Sequence, residues 1–233
     1  MEQKMFCFQC QETAMGTGCV FRGVCGKQPQ TAKYMDLLLS VVRGVALADH
    51  ALRQRGVETD RQAADFIVDA LFTTITNANF DDASLLARVD RGVVLRNVLM
   101  VKARESDVTL PDYDELRWSG NKSTYDEQST RMGVLRNHDE DIRSLHELTM
   151  YGLKGMAAYY EHAARLGFTD PTITDFMSQA LAVLSSPDAQ QDELLNLVLE
   201  TGTSYLGAFL IWLTRRKVTL SQRTITSGIR SWS

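Results

Sequence analysis

The sequence predicts an all-α protein with two three-helix bundles, and three observations carry this prediction. Apolar residues recur at steps of three and four over six segments, the period of an amphipathic helix. No segment alternates apolar and polar residues as a half-buried strand does. A polar stretch at residues 106–137, which contains Pro111, Gly120 and Gly133, separates the helices into two groups.

The first group has three predicted helices. The first runs from about residue 31 to residue 55, where Gly56 ends it. Asp60 is placed to cap the second helix, which residues 77–79 end. The third runs from about residue 82 to residue 102.

The second group follows the polar connection, for which the sequence predicts a long link with one short helix. A strong helical pattern covers about residues 140–166 and ends at Gly167. Pro171 suits the first turn of the next helix, predicted to end near residue 184. A last helix is predicted over about residues 188–200.

The composition is that of an ordinary globular protein. The chain has 233 residues, of which 44% are hydrophobic and 23% charged, and this excludes wholesale disorder. The formal net charge of −4 argues against a nucleic-acid-binding protein, which normally presents a basic face. The start lacks the apolar core of an export signal, and no apolar run reaches the roughly 18 residues of a membrane span. These features predict a cytoplasmic protein with no membrane or nucleic-acid partner.

All four cysteines lie close together near the start, as Cys7, Cys10, Cys19 and Cys25, in the spacing C-x2-C-x8-C-x5-C. In a reducing compartment such thiols are metal ligands more often than disulfides. Four thiolates can hold zinc or an iron–sulfur cluster, and the single C-x2-C knuckle favours the cluster. A C-x-x-C redox pair would leave two cysteines unexplained. Glycines interspersed among the cysteines let backbone amides approach the sulfurs.

Other polar features have simpler interpretations. The four histidines, His50, His138, His146 and His162, contain no ligand pair at i and i+4, so we interpret them as surface or packing residues. The acidic residues 139–141 are typical of a helix N-terminus. Gly152 and Gly155 are interpreted as a close contact between helices.

Several segments resemble the hybrid-cluster (prismane) proteins, the hydroxylamine reductases. The cysteine motif is the specific part: FCFQCQET at residues 6–13, TGC at 17–19 and GVCGK at 23–27. Residues 74–82, 140–145 and 152–163 agree as well, and the resemblance covers about residues 5–202. A carbon monoxide dehydrogenase relative is a weaker alternative, because the cysteines of that family are arranged differently.

The resemblance implies a helical domain of two three-helix bundles at a large angle, with a [4Fe–4S] cluster bound by Cys7, Cys10, Cys19 and Cys25. This cluster would pass electrons from a donor protein to a hybrid iron–sulfur–oxygen cluster. The hybrid cluster reduces hydroxylamine to ammonia, or reduces nitric oxide, in nitrosative stress. The ligands of the hybrid cluster lie in later domains of the family, so this chain alone is expected to be inactive. The alternative function is a zinc-stabilised helical module without a redox role.

The predicted organisation is a cluster-binding cysteine segment at residues 1–30, a first bundle at 31–105, a connection at 106–137, a second bundle at 138–202 and a divergent tail at 203–233. The tail has five basic residues and no acidic one, whereas the preceding residues are acidic. We interpret it as the product of a frameshift after Gly202, or of a cloning or sequencing artefact. The downstream DNA, read in another frame, would then encode the next segment of the family.

Overall fold

The computed structural model describes the backbone of residues 4–10, 12–76 and 78–230, and the side chains up to residue 213. Within these ranges the protein is all-α, as predicted, with eight α-helices, three short 3-10 turns and no strand beyond one isolated β-bridge. The helices are α1 (Pro29–Gln54), α2 (Arg61–Thr73), α3 (Asp82–Glu105), α4 (Asp114–Arg117), α5 (Tyr125–Arg131), α6 (Glu140–Arg165), α7 (Pro171–Val183) and α8 (Gln191–Arg230). Position 77, one of the residues predicted to end the second helix, lies outside the described residues.

Aspartates start four of the helices. Each carboxylate accepts a hydrogen bond from a backbone N–H of the first turn, which has no partner inside the helix. The pairs are Asp60 with Gln62, Asp81 with Ser84, Asp139 with Ile142 and Asp170 with Thr172. The acidic residues 139–141 are therefore a helix start, as predicted. Helix α1 begins instead with Pro29, whose missing N–H costs nothing in a first turn.

Helix α1 is the centre of the fold. It packs against α2, α3, α5 and α7, while α2 packs on α6 and α6 on α8. The buried side chains of these helices form one continuous apolar core, which includes Leu38, Phe66, Leu153 and Leu181. The division into two bundles and the angle between them remain predictions.

Helix α8 contradicts the predicted end near residue 200, because it continues to Arg230. Gly202 does not stop it, since one glycine inside a helix costs only about 1 kcal/mol. The residues that follow gain contacts with α6: the ring of Tyr159 lies 5.6 Å from that of Tyr205 and 5.2 Å from that of Trp212. The five basic residues of the tail lie beyond residue 213, outside the described side chains.

The connection between α3 and α6 also holds more structure than the single short helix predicted. It contains α4 and α5 together with 3-10 turns at Lys122–Thr124 and Val134–Arg136. Buried polar contacts stabilise these elements of the connection. The guanidinium of Arg96 on α3 donates to the backbone oxygens of Glu115 and Trp118, at 2.8 and 2.6 Å.

One helical segment in the described part of the chain, Gln191–Leu213, is long and apolar enough by composition to cross a membrane. The same composition occurs in helices that pack inside soluble bundles, so it is weak evidence for a span. Here the segment contacts α6, and it buries Leu194, Leu197, Thr201 and Ala208.

Candidate metal centre

The cysteine segment folds into two turns joined by a short backbone ladder. Cys7 and Cys19 face each other in an antiparallel bridge, in which the Cys7 N–H donates to the Cys19 carbonyl at 3.1 Å and the Cys19 N–H to the Cys7 carbonyl at 2.7 Å. The hydroxyl of Thr13 donates to the Cys7 carbonyl at 3.1 Å and fixes the chain between them. Two of the four predicted ligands are thereby brought onto adjacent backbone.

The second turn holds Cys25, and glycine is required there. The Gly23 N–H donates to the Lys27 carbonyl at 2.8 Å and closes the turn. A Cβ added at Gly23 would lie 3.0 Å from Cys25 Sγ, closer than nearly all real contacts of this kind. Gly26 has a φ of +93°, which side-chain-bearing residues rarely adopt. The absence of a side chain at Gly23 thus leaves room for the Cys25 sulfur, while the predicted approach of glycine amides to sulfur stays a prediction.

The sulfur of Cys19 lies among hydrogen-bond donors. It is buried, and the Ala14 N–H donates to it at 3.4 Å, while the Thr13 hydroxyl lies 3.7 Å away. Burial raises the pKa of the Cys19 thiol, but the amides of Ala14 and Val24 outweigh it, so that the pKa lies below its ordinary value. This environment stabilises a thiolate.

The sulfur of Cys7 has a different surrounding. Burial raises the pKa of its thiol, and the nearby charge of Lys27 opposes this effect. Lys27 is itself buried, and its Nζ lies 3.9 Å from Cys7 Sγ. The buried ammonium group of Lys27 therefore stabilises the thiolate form of Cys7.

The cysteine segment is anchored on two helical segments far away in the sequence. The Tyr151 hydroxyl on α6 donates to the Phe8 carbonyl at 3.2 Å, and the Thr76 hydroxyl after α2 donates to the Gln9 carbonyl at 3.2 Å. Burial raises the pKa of Tyr151 to about 12, and the negative charges of Cys7 and Cys10 add to this effect. The two hydroxyls therefore fix the backbone of residues 8 and 9, between Cys7 and Cys10.

The four predicted ligands differ in exposure. Cys19 is buried, Cys7 and Cys10 are half-buried and Cys25 is exposed, and all four are free thiols. Among the described side chains, no three His, Cys, Asp or Glu residues lie close enough to hold one metal ion. The structure thus joins the four cysteines in one segment without placing their sulfurs in a single coordination shell.

Comparison with known proteins identifies the family. A family model described as the Prismane/CO dehydrogenase family matches residues 5–227. The chain belongs to this family. Its description names carbon monoxide dehydrogenase beside prismane, and the curated relatives below are all hydroxylamine reductases.

The relatives of this prismane-family chain are similar over most of its length. Hydroxylamine reductase of Bacteroides fragilis (strain YCH46) is 52% identical over 199 residues, which are 85% of this chain and 36% of the relative. The enzyme of Porphyromonas gingivalis (strain ATCC 33277) is 46% identical over 87% of this chain and 37% of its own length. That of Nitratidesulfovibrio vulgaris is 44% identical over 85% and 37%. The chain therefore spans little more than a third of the length of these relatives.

The prismane family implies iron–sulfur clusters, and the donor set of the cysteine segment fits one. Cys7, Cys10, Cys19 and Cys25 supply the four thiols that such a cluster uses. The amide that Ala14 directs at Cys19 Sγ is typical of the hydrogen bonds that stabilise cluster sulfurs. The buried cation beside Cys7 offsets part of the negative charge that four thiolates bring.

The histidines lie elsewhere: His138 is exposed, and the other three have contacts within the helical part of the chain. His146 is buried, and its Nε2 lies 2.7 Å from the Leu184 carbonyl. The ring of His162 meets Phe72 edge-on, and His50 lies 2.9 Å from the Gln54 amide. These contacts agree with the predicted packing role.

Sequence reasoning missed three residues of this prismane-family site: Lys27, Tyr151 and Lys154. The Lys154 ammonium is buried and donates to the Thr74 carbonyl at 3.0 Å, and burial lowers its pKa to about 8. One signal was present, because Lys154 falls on the apolar stripe of α6 beside Leu153 and Ala157. A lysine in that register is a buried charge, and buried charges need a partner.

Proposed function

We propose that this chain is the cluster-binding, electron-transfer part of a hydroxylamine reductase. Cys7, Cys10, Cys19 and Cys25 hold a [4Fe–4S] cluster, which accepts electrons from a donor protein and passes them to a hybrid cluster in the remainder of the enzyme. The carrying observation is the sulfur environment, in which a backbone amide donates to Cys19 Sγ and a buried ammonium lies against Cys7 Sγ. The similarity to hydroxylamine reductases supports the reaction class.

The cysteine segment contributes ligands, hydrogen bonds and partial exclusion of water. The thiolates bind iron through sulfur, and the Cys7–Cys19 bridge fixes the backbone of two of them. A [4Fe–4S] cluster carries one electron at a time, and reduction of hydroxylamine to ammonia and water consumes two electrons and two protons. The exposed Cys25 places one edge of the site at the surface, where a donor protein can approach.

The test is anaerobic purification of the chain, followed by quantification of iron and acid-labile sulfide. Brown protein with about four irons and four sulfides per chain is expected, since that is the composition of the cluster. Each of the four Cys→Ser variants should lose most of the iron and visible absorbance. Val24→Ser is the matched control, because Val24 adjoins Cys25, is exposed and contributes only its backbone amide to the site.

Two results would contradict the proposal. Colourless protein with one zinc per chain would support the zinc-stabilised helical module instead. Full iron and absorbance in all four serine variants would exclude the cysteines as ligands. We expect no hydroxylamine reduction by the chain alone, because the hybrid cluster that performs it is expected to lie outside these residues.

A further inference from the structure

We propose that Lys27 sets the reduction potential of the group held by the four cysteines. It does so by placing a fixed positive charge against Cys7 inside a water-excluding wall. This inference rests on the proposed function and adds to it a residue that is not a ligand.

Lys27 is held in place at its ammonium group and at its backbone. Only 2% of its surface is exposed, and its Nζ lies 3.9 Å from Cys7 Sγ. Within the described part of the chain, that sulfur is the one hydrogen-bond partner of the Lys27 ammonium group. The backbone is fixed by the hydrogen bond from Gly23, and a Cβ at Gly23 would lie only 3.0 Å from Lys27 Cβ. The side chain has little room to withdraw from Cys7.

The wall around this contact is largely apolar. The cavity that Lys27 shares with Cys7 is lined by the apolar side chains of Phe6, Ala32, Met35 and Val134 and by the polar side chains of Gln9 and Asp36, with Ala32 and Met35 buried at the start of α1. A lysine is rarely buried unless a negative charge compensates it. Since charges interact more strongly where water is excluded, the ammonium acts on the sulfur with little screening.

Among the charged groups of the described residues, Lys27 has the largest effect on the pKa of the Cys7 thiol, which it lowers. Asp36, which lines the same cavity, opposes it, and Lys154 adds a smaller effect of the same sign. Addition of an electron makes the thiolate-bound group more negative. A nearby cation therefore favours the reduced form, and its removal should lower the potential.

The experiment compares anaerobic redox titrations of the wild-type chain with Lys27→Met, which keeps the unbranched side chain up to the position of Cε and removes the charged end, and Lys27→Arg, which keeps the charge. At the potential where the wild type is half reduced, Lys27→Met should show a ratio of reduced to oxidised protein about tenfold lower, equivalent to 59 mV for one electron. Lys27→Arg should remain within about twofold of the wild type. Arg22→Gln removes an exposed charge from the same segment and should also remain within about twofold, because water screens it.

The outcomes separate this inference from the proposed function. Wild-type chain without iron and sulfide would overturn the proposed function itself. Wild-type chain with a cluster, and Lys27→Met within twofold of it, would overturn only the role of Lys27. If Lys27→Met loses its iron while Lys27→Arg retains it, the site requires the positive charge, which supports the inference. If both variants lose their iron, the lysine side chain has only a structural role, which overturns the inference.

Discussion

A methyl group of Thr201 on α8 occupies the space that a side chain at Gly152 on α6 would need. A Cβ built on Gly152 would lie 2.4 Å from Thr201 Cγ2, too close for any real contact. The Thr201 hydroxyl is turned away and donates to the Leu197 carbonyl at 2.7 Å. The bare backbone of Gly152 is therefore what lets α8 lie directly against α6, as the sequence predicted.

Gly152→Ala should destabilise the protein by about 1–3 kcal/mol, because the added methyl overpacks this contact. Gly202→Ala is the control, since Gly202 is also helical but a Cβ there would meet nothing within 4 Å. That control should gain about 0.5–1 kcal/mol from helix propensity. Urea unfolding followed by circular dichroism measures both, and equal effects of the two alanines would contradict the close contact.

Glu115 on α4 ties the connection between α3 and α6 to α1. It is buried, and its Oε1 accepts hydrogen bonds from Arg43 Nε at 3.2 Å and from Arg136 Nη1 at 2.7 Å. Burial lowers the pKa of Arg43 to about 10, and the neighbouring charge of Arg136 contributes. The carboxylate is thus the counter-charge of two guanidinium groups that repel each other.

Glu115→Gln should cost about 3–5 kcal/mol of unfolding free energy, because it leaves the buried Arg43 and the half-buried Arg136 without this carboxylate. The matched control is Asp112→Asn, which removes the exposed partner of Arg117 and should leave the urea midpoint unchanged. A midpoint for Glu115→Gln that coincides with that of the control would show that this ion pair does not hold the connection.

Most of the helical framework could be predicted because its signals are local. An aspartate before an apolar stripe marks a helix start, and Asp60 caps α2 where it was expected to. The end of α8 was missed because the loss of acidic residues after Gly202 resembled the end of a domain, whereas contacts such as that of Tyr205 with Tyr159 extend the helix.

The candidate metal centre was likewise predictable only in part from the sequence. The spacing of the cysteines indicated the ligand set, since it is visible within 19 residues of sequence. Its surroundings depend on tertiary contacts that no local pattern encodes, such as the hydrogen bond from Tyr151 to Phe8, 143 residues apart. Likewise, nothing in the local sequence indicates that Lys27 points inward while the nearby Arg22 points to solvent.

The hydrogen bonds from Tyr151 and Thr76 should slow the opening of the cysteine segment. The double variant Tyr151→Phe with Thr76→Val removes both donors to the carbonyls of Phe8 and Gln9. Each lost bond is worth about 0.5–1.5 kcal/mol, so iron should leave to a chelator several-fold faster. Thr130→Val is the control, because the Thr130 hydroxyl donates to the Asp126 carbonyl inside α5. Identical rates of iron loss in the three proteins would mean that these bonds do not anchor the segment.

Asp36 makes the stability of the protein depend on pH. It is partly buried on α1, and burial together with repulsion from Glu147 raises its pKa to about 7, although Lys154 and Arg43 oppose this effect. An aspartate in the unfolded chain has a pKa of about 3.9. Between these two values the folded chain holds a proton that the unfolded chain has lost. Stability therefore falls as the pH rises from about 4 to about 7, and the full penalty remains above that range.

Asp36→Asn should remove this penalty, because asparagine carries no charge to bury. We expect the variant to be more stable than the wild type by about 4 kcal/mol at pH 8, since about three pKa units separate the folded from the unfolded chain, with the difference disappearing towards pH 4. Glu58→Gln, at an exposed carboxylate, should show no such trend. Urea midpoints measured at pH 4, 5.5 and 8 give the comparison. A constant difference between Asp36→Asn and the wild type over this range would show that Asp36 ionises as freely in the folded chain as in the unfolded one.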